Sequence, residues 1–279
     1  MSRSACLNSV LSIVDDTLKI KRDKQLRLLN SSSRINRYKF VVNLALVTLG
    51  IRGSYLIDTF VVEEPESAFI IILEALNKAA PTIFSALRVA YESESGQCFL
   101  LNRSVLATNA TKWYNGTCVL LTDEPSVMEL PPTLLRTVQD LLQYFEDSSH
   151  SIYRFPPNLG RQILIPLAGV LLEYPVAYMP TSDEQTIFLP GVALDVYHCT
   201  LSLECAHDLK KAALPNTIAE HSLLRFSCPV CVGESNKPLS PSSIERQVGG
   251  LFRDRLSLLE DKWTLKMSHE IVTLDRVAL

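Results

Sequence analysis

The chain has 279 residues, of which 47% are hydrophobic and 20% are charged, and its formal net charge is −3. This composition excludes bulk disorder and supplies enough apolar side chains for a core of ordinary size. The weak negative charge gives no general attraction to nucleic acid or to an anionic membrane.

A basic segment near the N-terminus is the local exception to this charge balance. We interpret it as a solvated helix face followed by a linker, with a nucleic-acid-binding arm or a sorting signal as the alternative. Apart from this segment we expect no nucleic-acid partner. Its basic residues are Lys19, Lys21, Arg22, Lys24, Arg27, Arg34, Arg37 and Lys39.

Neither a secretory signal nor a membrane span is predicted. Asp15 and Asp16 interrupt the apolar stretch that a signal peptide would need, and Glu173 and two prolines interrupt the apolar run from Ile163. The odd number of cysteines, seven, is typical of reduced thiols. We therefore expect a soluble intracellular protein, cytoplasmic or nuclear and not secreted.

Predicted elements begin with an amphipathic helix over 5–29, which ends at the serine-rich run 30–33. Residues 40–49 are apolar throughout, so helix and strand both fit that segment. SYLIDTFVV at 54–62 predicts a buried strand. A helix then begins at Pro65.

The middle of the chain contains a hairpin signal. Asn115-Gly116 supplies the two residues with positive φ that a type I′ turn needs, so strands are predicted near 105–114 and 117–122. Pro131-Pro132 begins an amphipathic helix. Close to the C-terminus, Trp263 starts an alternation of apolar and polar residues that indicates a closing strand.

The run from Gln162 to Leu201 is the most apolar part of the chain. It predicts a helix that leads into a strand, a polar break at TSDEQ, and a second extended piece. We expect the two extended pieces to pair inside the sheet, with TSDEQ as the exposed tip. The predicted core residues here are Val176, Tyr178, Ile187 and Leu189.

The loose alternation of helices and strands predicts the α/β class, with α+β as the alternative. We expect a mixed β-sheet flanked by helices. The predicted organisation is an N-terminal helix and linker at 1–33, followed by a single globular domain at 34–279.

A Cys-x-x-Cys motif, Cys228-Pro-Val-Cys231, is the sharpest chemical signal. Two thiolates at this spacing can occupy two vertices of a tetrahedral Zn²⁺ site, and Cys205 and His207 could supply the other two. A thioredoxin-like redox pair is less favoured because no βαβ context surrounds the motif. We favour ordinary reduced thiols and expect no cofactor, with zinc as the alternative.

Two aspartates at predicted strand ends form a second candidate site. Asp58 follows SYLI and Asp123 follows TCVLLT, and ligand sites in α/β sheets gather outside the carboxyl ends of strands. The two carboxylates could hold Mg²⁺ or act as acid and base. The alternative, which we favour, is that each aspartate caps a turn. His198 is interpreted as a core histidine, whereas His269 lies in a polar context.

Several segments together resemble a known family. They are SYLIDT, the helix PPTLLRTVQDLL, and the pair GVLLEYPVAYMP and LPGVALDVYHCTL. On these segments, from about Phe40 to about Cys231, the chain resembles an uncharacterised eukaryotic family of unknown function, the chromosome 1 open reading frame 74-like proteins. The resemblance implies no activity and no catalytic residue.

The sequence favours a non-catalytic interaction or scaffold protein with an unknown protein partner, because no standard catalytic or phosphate-binding motif occurs. One alternative is an enzyme that uses Asp58 and Asp123. The other is a zinc-stabilised module that uses Cys205, His207, Cys228 and Cys231.

Overall fold

The structure is a computed structural model that describes residues 7–18, 33–59, 64–113, 117–147, 150–203, 220–260 and 263–275. The helices are α1 (Leu7–Leu18), α2 (Arg34–Thr48), α3 (Pro65–Ala79), α4 (Pro81–Phe84), α5 (Arg103–Trp113), α6 (Pro132–Asp147), α7 (Arg161–Leu171), α8 (Val230–Ser235) and α9 (Pro241–Leu256). The strands are β1 (Ser54–Leu56), β2 (Leu87–Tyr91), β3 (Cys98–Asn102), β4 (Thr117–Leu121), β5 (Ser126–Glu129), β6 (Ile152–Arg154), β7 (Ala177–Pro180), β8 (Ala193–Leu203), β9 (Glu220–Pro229) and β10 (Trp263–Thr273). The predicted α/β class is confirmed.

The chain divides into two compact units, and neither unit is a continuous segment. The predicted boundary between 1–33 and 34–279 stays a prediction, although α1 packs on α2 and α3. Unit 1 contains Met1–Asn115, Pro131–Gly160 and Leu171–Glu173, and unit 2 contains Gly116–Leu130, Arg161–Val170 and Tyr174–Leu279.

Unit 1 is built on a mixed sheet with the strand order β1-β3-β2-β6. The β1–β3 and β2–β3 pairs are antiparallel, and the β2–β6 pair is parallel. Every residue of β2 and β3 is buried, so this sheet lies inside the unit. Phenylalanine side chains with 0–1% exposure fill the core around it: Phe40, Phe69, Phe84, Phe99, Phe145 and Phe155.

The ambiguous apolar segment 40–49 is mostly helical and lies in α2. Ser33 caps this helix, because its hydroxyl accepts a hydrogen bond from the Asn36 amide at 3.2 Å. Residues 40–48 are all buried. A helix that is buried on every side has no polar stripe, which is why its sequence lacks a helical period.

The segment Leu171–Glu173 is anchored in unit 1 by a backbone turn and a carboxylate. Glu173 has φ of 62°. Its Oε2 accepts from the Gly53 amide at 2.7 Å and its Oε1 from Asn109 Nδ2 at 2.6 Å. A Cβ on Gly53 would lie 2.8 Å from this carboxylate, so only glycine leaves room for the contact.

The predicted strand at 105–114 is wrong, because residues 103–113 form α5. Asn102, the last residue of β3, starts this helix: its Oδ1 accepts from the amides of Ser104 at 3.1 Å and Val105 at 3.2 Å. Its Nδ2 donates to the carbonyl of Val47 at 2.8 Å. The strand predicted near 117–122 is confirmed as β4, and Asn115-Gly116 lies outside the described residues.

The described residues of unit 2 form two sheets, with the strand orders β5-β4-β7 and β10-β8-β9. The predicted pairing of the two extended pieces between Gln162 and Leu201 is therefore wrong. The first piece, β7, runs parallel to β4, whereas the second piece, β8, lies between β9 and β10 in the other sheet.

Of the four core residues predicted in this run, Val176, Tyr178 and Leu189 are buried, but Ile187 is 59% exposed. Ile187 lies in a loop that the Gln185 carboxamide organises. Gln185 Oε1 accepts from the Thr181 amide at 2.8 Å, and its Nε2 donates to the Leu121 carbonyl at 2.9 Å. This segment is held by side-chain hydrogen bonds and not by a strand ladder. It therefore lacks the regular alternation of a strand that would place Ile187 in the core.

Within the described part of the chain, no helix has the length and apolar character needed to cross a membrane.

We expect Asn102→Ala to lower the free energy of unfolding by about 1–3 kcal/mol, because it removes a helix cap and a buried amide contact together. Urea denaturation followed by circular dichroism measures the loss. The matched control is Ser104→Ala at the neighbouring exposed position, which we expect to stay within about 0.5 kcal/mol of the wild type. Equal stability of the two variants would contradict this account of α5.

Candidate functional site

The two strand-end aspartates lie in different units, and each side chain is exposed. Asp58, in unit 1, accepts a hydrogen bond from the Tyr55 hydroxyl, with Oη 3.1 Å from Oδ1. Burial raises the pKa of Tyr55 above its usual range, so this phenol stays a donor. Asp123, in unit 2, follows β4 in a bend. Their predicted use as a joint catalytic pair stays a prediction.

Half of the predicted zinc set lies within the described residues. Cys228 is buried near the end of β9, where its thiol lies 3.7 Å from the Pro229 carbonyl oxygen. Burial raises the pKa of Cys228 to about 12. Cys231 is exposed in α8, and Cys205 and His207 lie outside the described residues.

Within the described ranges, no group of three or more histidine, cysteine, aspartate or glutamate side chains could hold a metal ion. Zinc binding at the Cys228–Cys231 motif therefore stays a prediction. Burial of Cys228 disfavours the thiolate that zinc coordination requires, since desolvation penalises the charged form.

A pair that the sequence analysis did not single out, Asp195 and His269, lies on the β10-β8-β9 sheet. Asp195 is on the central strand, opposite Cys228 of β9 and Ile271 of β10. His269 is opposite Tyr197, so it reaches Asp195 along the diagonal of the ladder. The distance between His269 Nε2 and Asp195 Oδ1 is 2.6 Å.

Burial of this pair is unequal. The side chain of Asp195 is 3% exposed, whereas that of His269 is 23% exposed. A buried carboxylate without a hydrogen-bond partner is costly, so His269 supplies the contact that lets Asp195 occupy the central strand.

Tyr197 completes the group, which we call the His269 cluster (Asp195, Tyr197 and His269). Its ring stacks on His269 on one side and on Phe226 on the other, with centroids 5.0 Å apart in both cases. Tyr197 is fully buried, and its hydroxyl has no hydrogen-bond partner among the residues that the structure describes. Burial raises the pKa of Tyr197 above its usual range, and the negative charge of Asp195 raises it further.

The geometry of the pair determines how the imidazole can act. When the Nε2 proton is donated to Asp195, the neutral imidazole has its acceptor at Nδ1. A carboxylate that orients an imidazole in this way is the supporting half of a nucleophilic triad. The hydroxyl next along the strand, Ser268, contacts the His198 carbonyl at 3.4 Å instead. The arrangement orients a histidine and gives a buried carboxylate a hydrogen-bond partner.

Two signals in the sequence point to this cluster. Asp195 is the only charged residue in the apolar run LPGVALDVYHCTL, and a lone carboxylate in a buried strand needs a partner. His269 continues the alternation of Trp263, Leu265 and Met267, so it shares their face of β10. His198, interpreted as a core histidine, is half-buried, with Nε2 3.0 Å from Ser222 Oγ.

We expect His269→Ala to lower the free energy of unfolding by about 1–3 kcal/mol, because the buried carboxylate of Asp195 loses its hydrogen-bond partner. Urea denaturation monitored by tryptophan fluorescence measures the change. Glu184→Ala, at an exposed position of unit 2, is the control and should stay within about 0.5 kcal/mol of the wild type. A His269→Ala protein as stable as the wild type would show that the pair does not hold β10 on β8.

The cysteines should differ in reactivity. At about pH 8 we expect iodoacetamide to alkylate the exposed Cys231 in the folded protein and to leave Cys228 unmodified, because burial keeps the Cys228 thiol protonated. Peptide mass spectrometry before and after unfolding in urea quantifies each site. Protection of Cys231 that a zinc chelator abolishes would instead support the zinc module.

No family model, no curated protein and no solved structure shows significant similarity to this chain. The resemblance to the chromosome 1 open reading frame 74-like proteins therefore stays a prediction, and the candidate sites rest on their own geometry.

Proposed function

We propose that the chain acts in the cytoplasm or nucleus as a non-catalytic interaction or scaffold protein, and that it binds a protein partner along β10. In this mode the partner adds one extended strand to the β10-β8-β9 sheet. Backbone hydrogen bonds then supply affinity, and alternate side chains supply specificity.

The observation that carries this proposal is that β10 is a long, regular strand at the edge of its sheet. β10 has 11 residues, and its register with β8 runs without a shift from Trp263 to Thr273. Among the described residues no strand pairs with its outer edge. Such an edge presents a row of backbone N–H and C=O groups to a second chain.

The opposite edge of the sheet is less suited to strand addition. The register between β8 and β9 shifts between Cys199 and Thr200, which opens an irregularity in the ladder. Bulges of this kind twist an edge away from further pairing. β10 is therefore the better edge for a partner.

Side-chain exposure also favours β10. Lys266, Ser268 and Glu270 are exposed on one face of the strand. Ile271 in β10 and Leu274 directly after it are 63% and 41% exposed, so two apolar side chains near the end of the strand are open to solvent. An added strand would cover part of this apolar surface.

The two other functions predicted from the sequence stay predictions. A strand-end enzyme needs the exposed carboxylates of Asp58 and Asp123 to act on one substrate. A zinc-stabilised module needs Cys205 and His207 beside Cys228 and Cys231, and zinc analysis of the purified protein tests it directly.

Site-specific photo-crosslinking in cells tests the proposed edge. A photoreactive amino acid at Ser268 of β10 should form a discrete protein adduct, whereas the same group at the exposed Thr122 should not. Ile271→Asp should abolish the adduct, because it puts a charge beside the added strand. Leu258→Asp, at another exposed apolar position, is the matched control and should retain it.

Adducts that are equal at Ser268 and Thr122, or an adduct that Ile271→Asp leaves unchanged, would overturn the proposal.

A further inference from the structure

We propose that the partner strand is β10 of a second copy of this chain, which pairs antiparallel with the first about a two-fold axis at Ser268. This inference rests on the proposed use of the β10 edge and names its occupant. The resulting sheet would have six strands, with the two β10 strands at its centre.

The charges of β10 are self-complementary in this register. When Ser268 faces Ser268 of the second copy, Lys266 of each chain lies opposite Glu270 of the other. Lys266 and Glu270 are both exposed, and neither has an ion pair or hydrogen bond through its side chain within the described residues. Opposite charges directly across an antiparallel ladder stabilise the pairing, and like charges destabilise it.

Neighbouring registers lose this match. With the axis at Met267, Lys266 would face Ser268 of the second copy. With the axis at His269, Lys266 would face Val272. Only the register centred on Ser268 brings both lysines onto both glutamates.

The same register also covers the exposed apolar residue of β10. On the other face of the strand, Leu265 of each chain lies opposite Ile271 of the second copy. Ile271 is 63% exposed and Leu265 is half-buried. An apolar pair across the two-fold axis therefore forms twice, as an isologous interface requires.

Lys266 also explains why a second copy fits better than an arbitrary strand. A lysine in the middle of an edge strand is a common device against indiscriminate pairing, because its charge disfavours a partner strand that lacks an opposite charge beside it. Glu270 of a second copy supplies that match at the required spacing. Lys266 thus disfavours strands without a carboxylate at this position, and this chain carries one there.

Charge reversal on the purified full-length protein tests the inference, with dimer dissociation measured by sedimentation equilibrium. Lys266→Glu and Glu270→Lys should each weaken dimerisation by about tenfold or more, since like charges then face each other twice. An equimolar mixture of the two variants should restore it as a heterodimer. The double variant K266E/E270K should restore it as a homodimer.

Glu220→Lys, at an exposed position on β9, is the matched control and should leave dimerisation unchanged. Circular dichroism of every variant should match the wild type, because the substituted side chains are exposed.

Two outcomes separate this inference from the proposed function. If the wild-type protein is monomeric at high concentration and Ser268 crosslinks to a different protein in cells, the partner is not a second copy. The proposal that a partner strand binds along β10 would then still hold. A dimer that is insensitive to both charge reversals would overturn the register at Ser268. Absence of any Ser268 adduct together with a monomeric protein would overturn both.

Discussion

The buried carboxylate of Asp195 in the central strand constrains the whole β10-β8-β9 sheet. Desolvation of a charge inside a sheet is tolerated only when a partner reaches it, and His269 Nε2 does so at 2.6 Å. A slip of one residue between β8 and β10 would turn His269 to the other face and leave Asp195 without its partner. The hydrogen bond therefore favours a register of β10 that keeps His269 on the same face as Asp195.

That register has consequences on both faces of β10. On the inner face it stacks His269 on Tyr197, whose ring also stacks on Phe226, so three aromatic rings lie in a row. On the outer face it leaves Lys266 and Glu270 exposed. The register that brings His269 to Asp195 therefore also places the residues of the proposed interaction surface. A change of register would alter both faces of β10.

Unit 1 is constrained differently, by hydrogen bonds of side chains to backbone groups at element ends. Asn102 ends β3, starts α5 and contacts the Val47 carbonyl of α2. Glu173 binds Gly53 and Asn109 through one carboxylate. Such contacts produce no periodic pattern in the sequence, because a single polar side chain makes the hydrogen bonds that end one element and begin the next.

These contacts explain where expectations from sequence succeeded and where they were wrong. The amphipathic helices at Leu7–Leu18 and Pro132–Asp147 were predictable because apolar periodicity reports burial directly. The strand expected at 105–114 rested on the hairpin signal Asn115-Gly116, and it was wrong because Asn102 caps a helix that begins directly after it. His269 could have been found from its alternation with Met267, but its partner Asp195 lies 74 positions away.

The amino-acid sequence by itself determined the α/β class, the faces of its amphipathic helices and the burial of Val176 and Tyr178. Hydrophobic periodicity encodes these locally, within one or two turns of a helix or a few residues of a strand. Only the tertiary structure decided that β7 and β8 enter different sheets and that Asp195 meets His269. Strand partners are chosen by contacts between residues far apart in the chain, and alternation along one strand is the same whichever neighbour it pairs with.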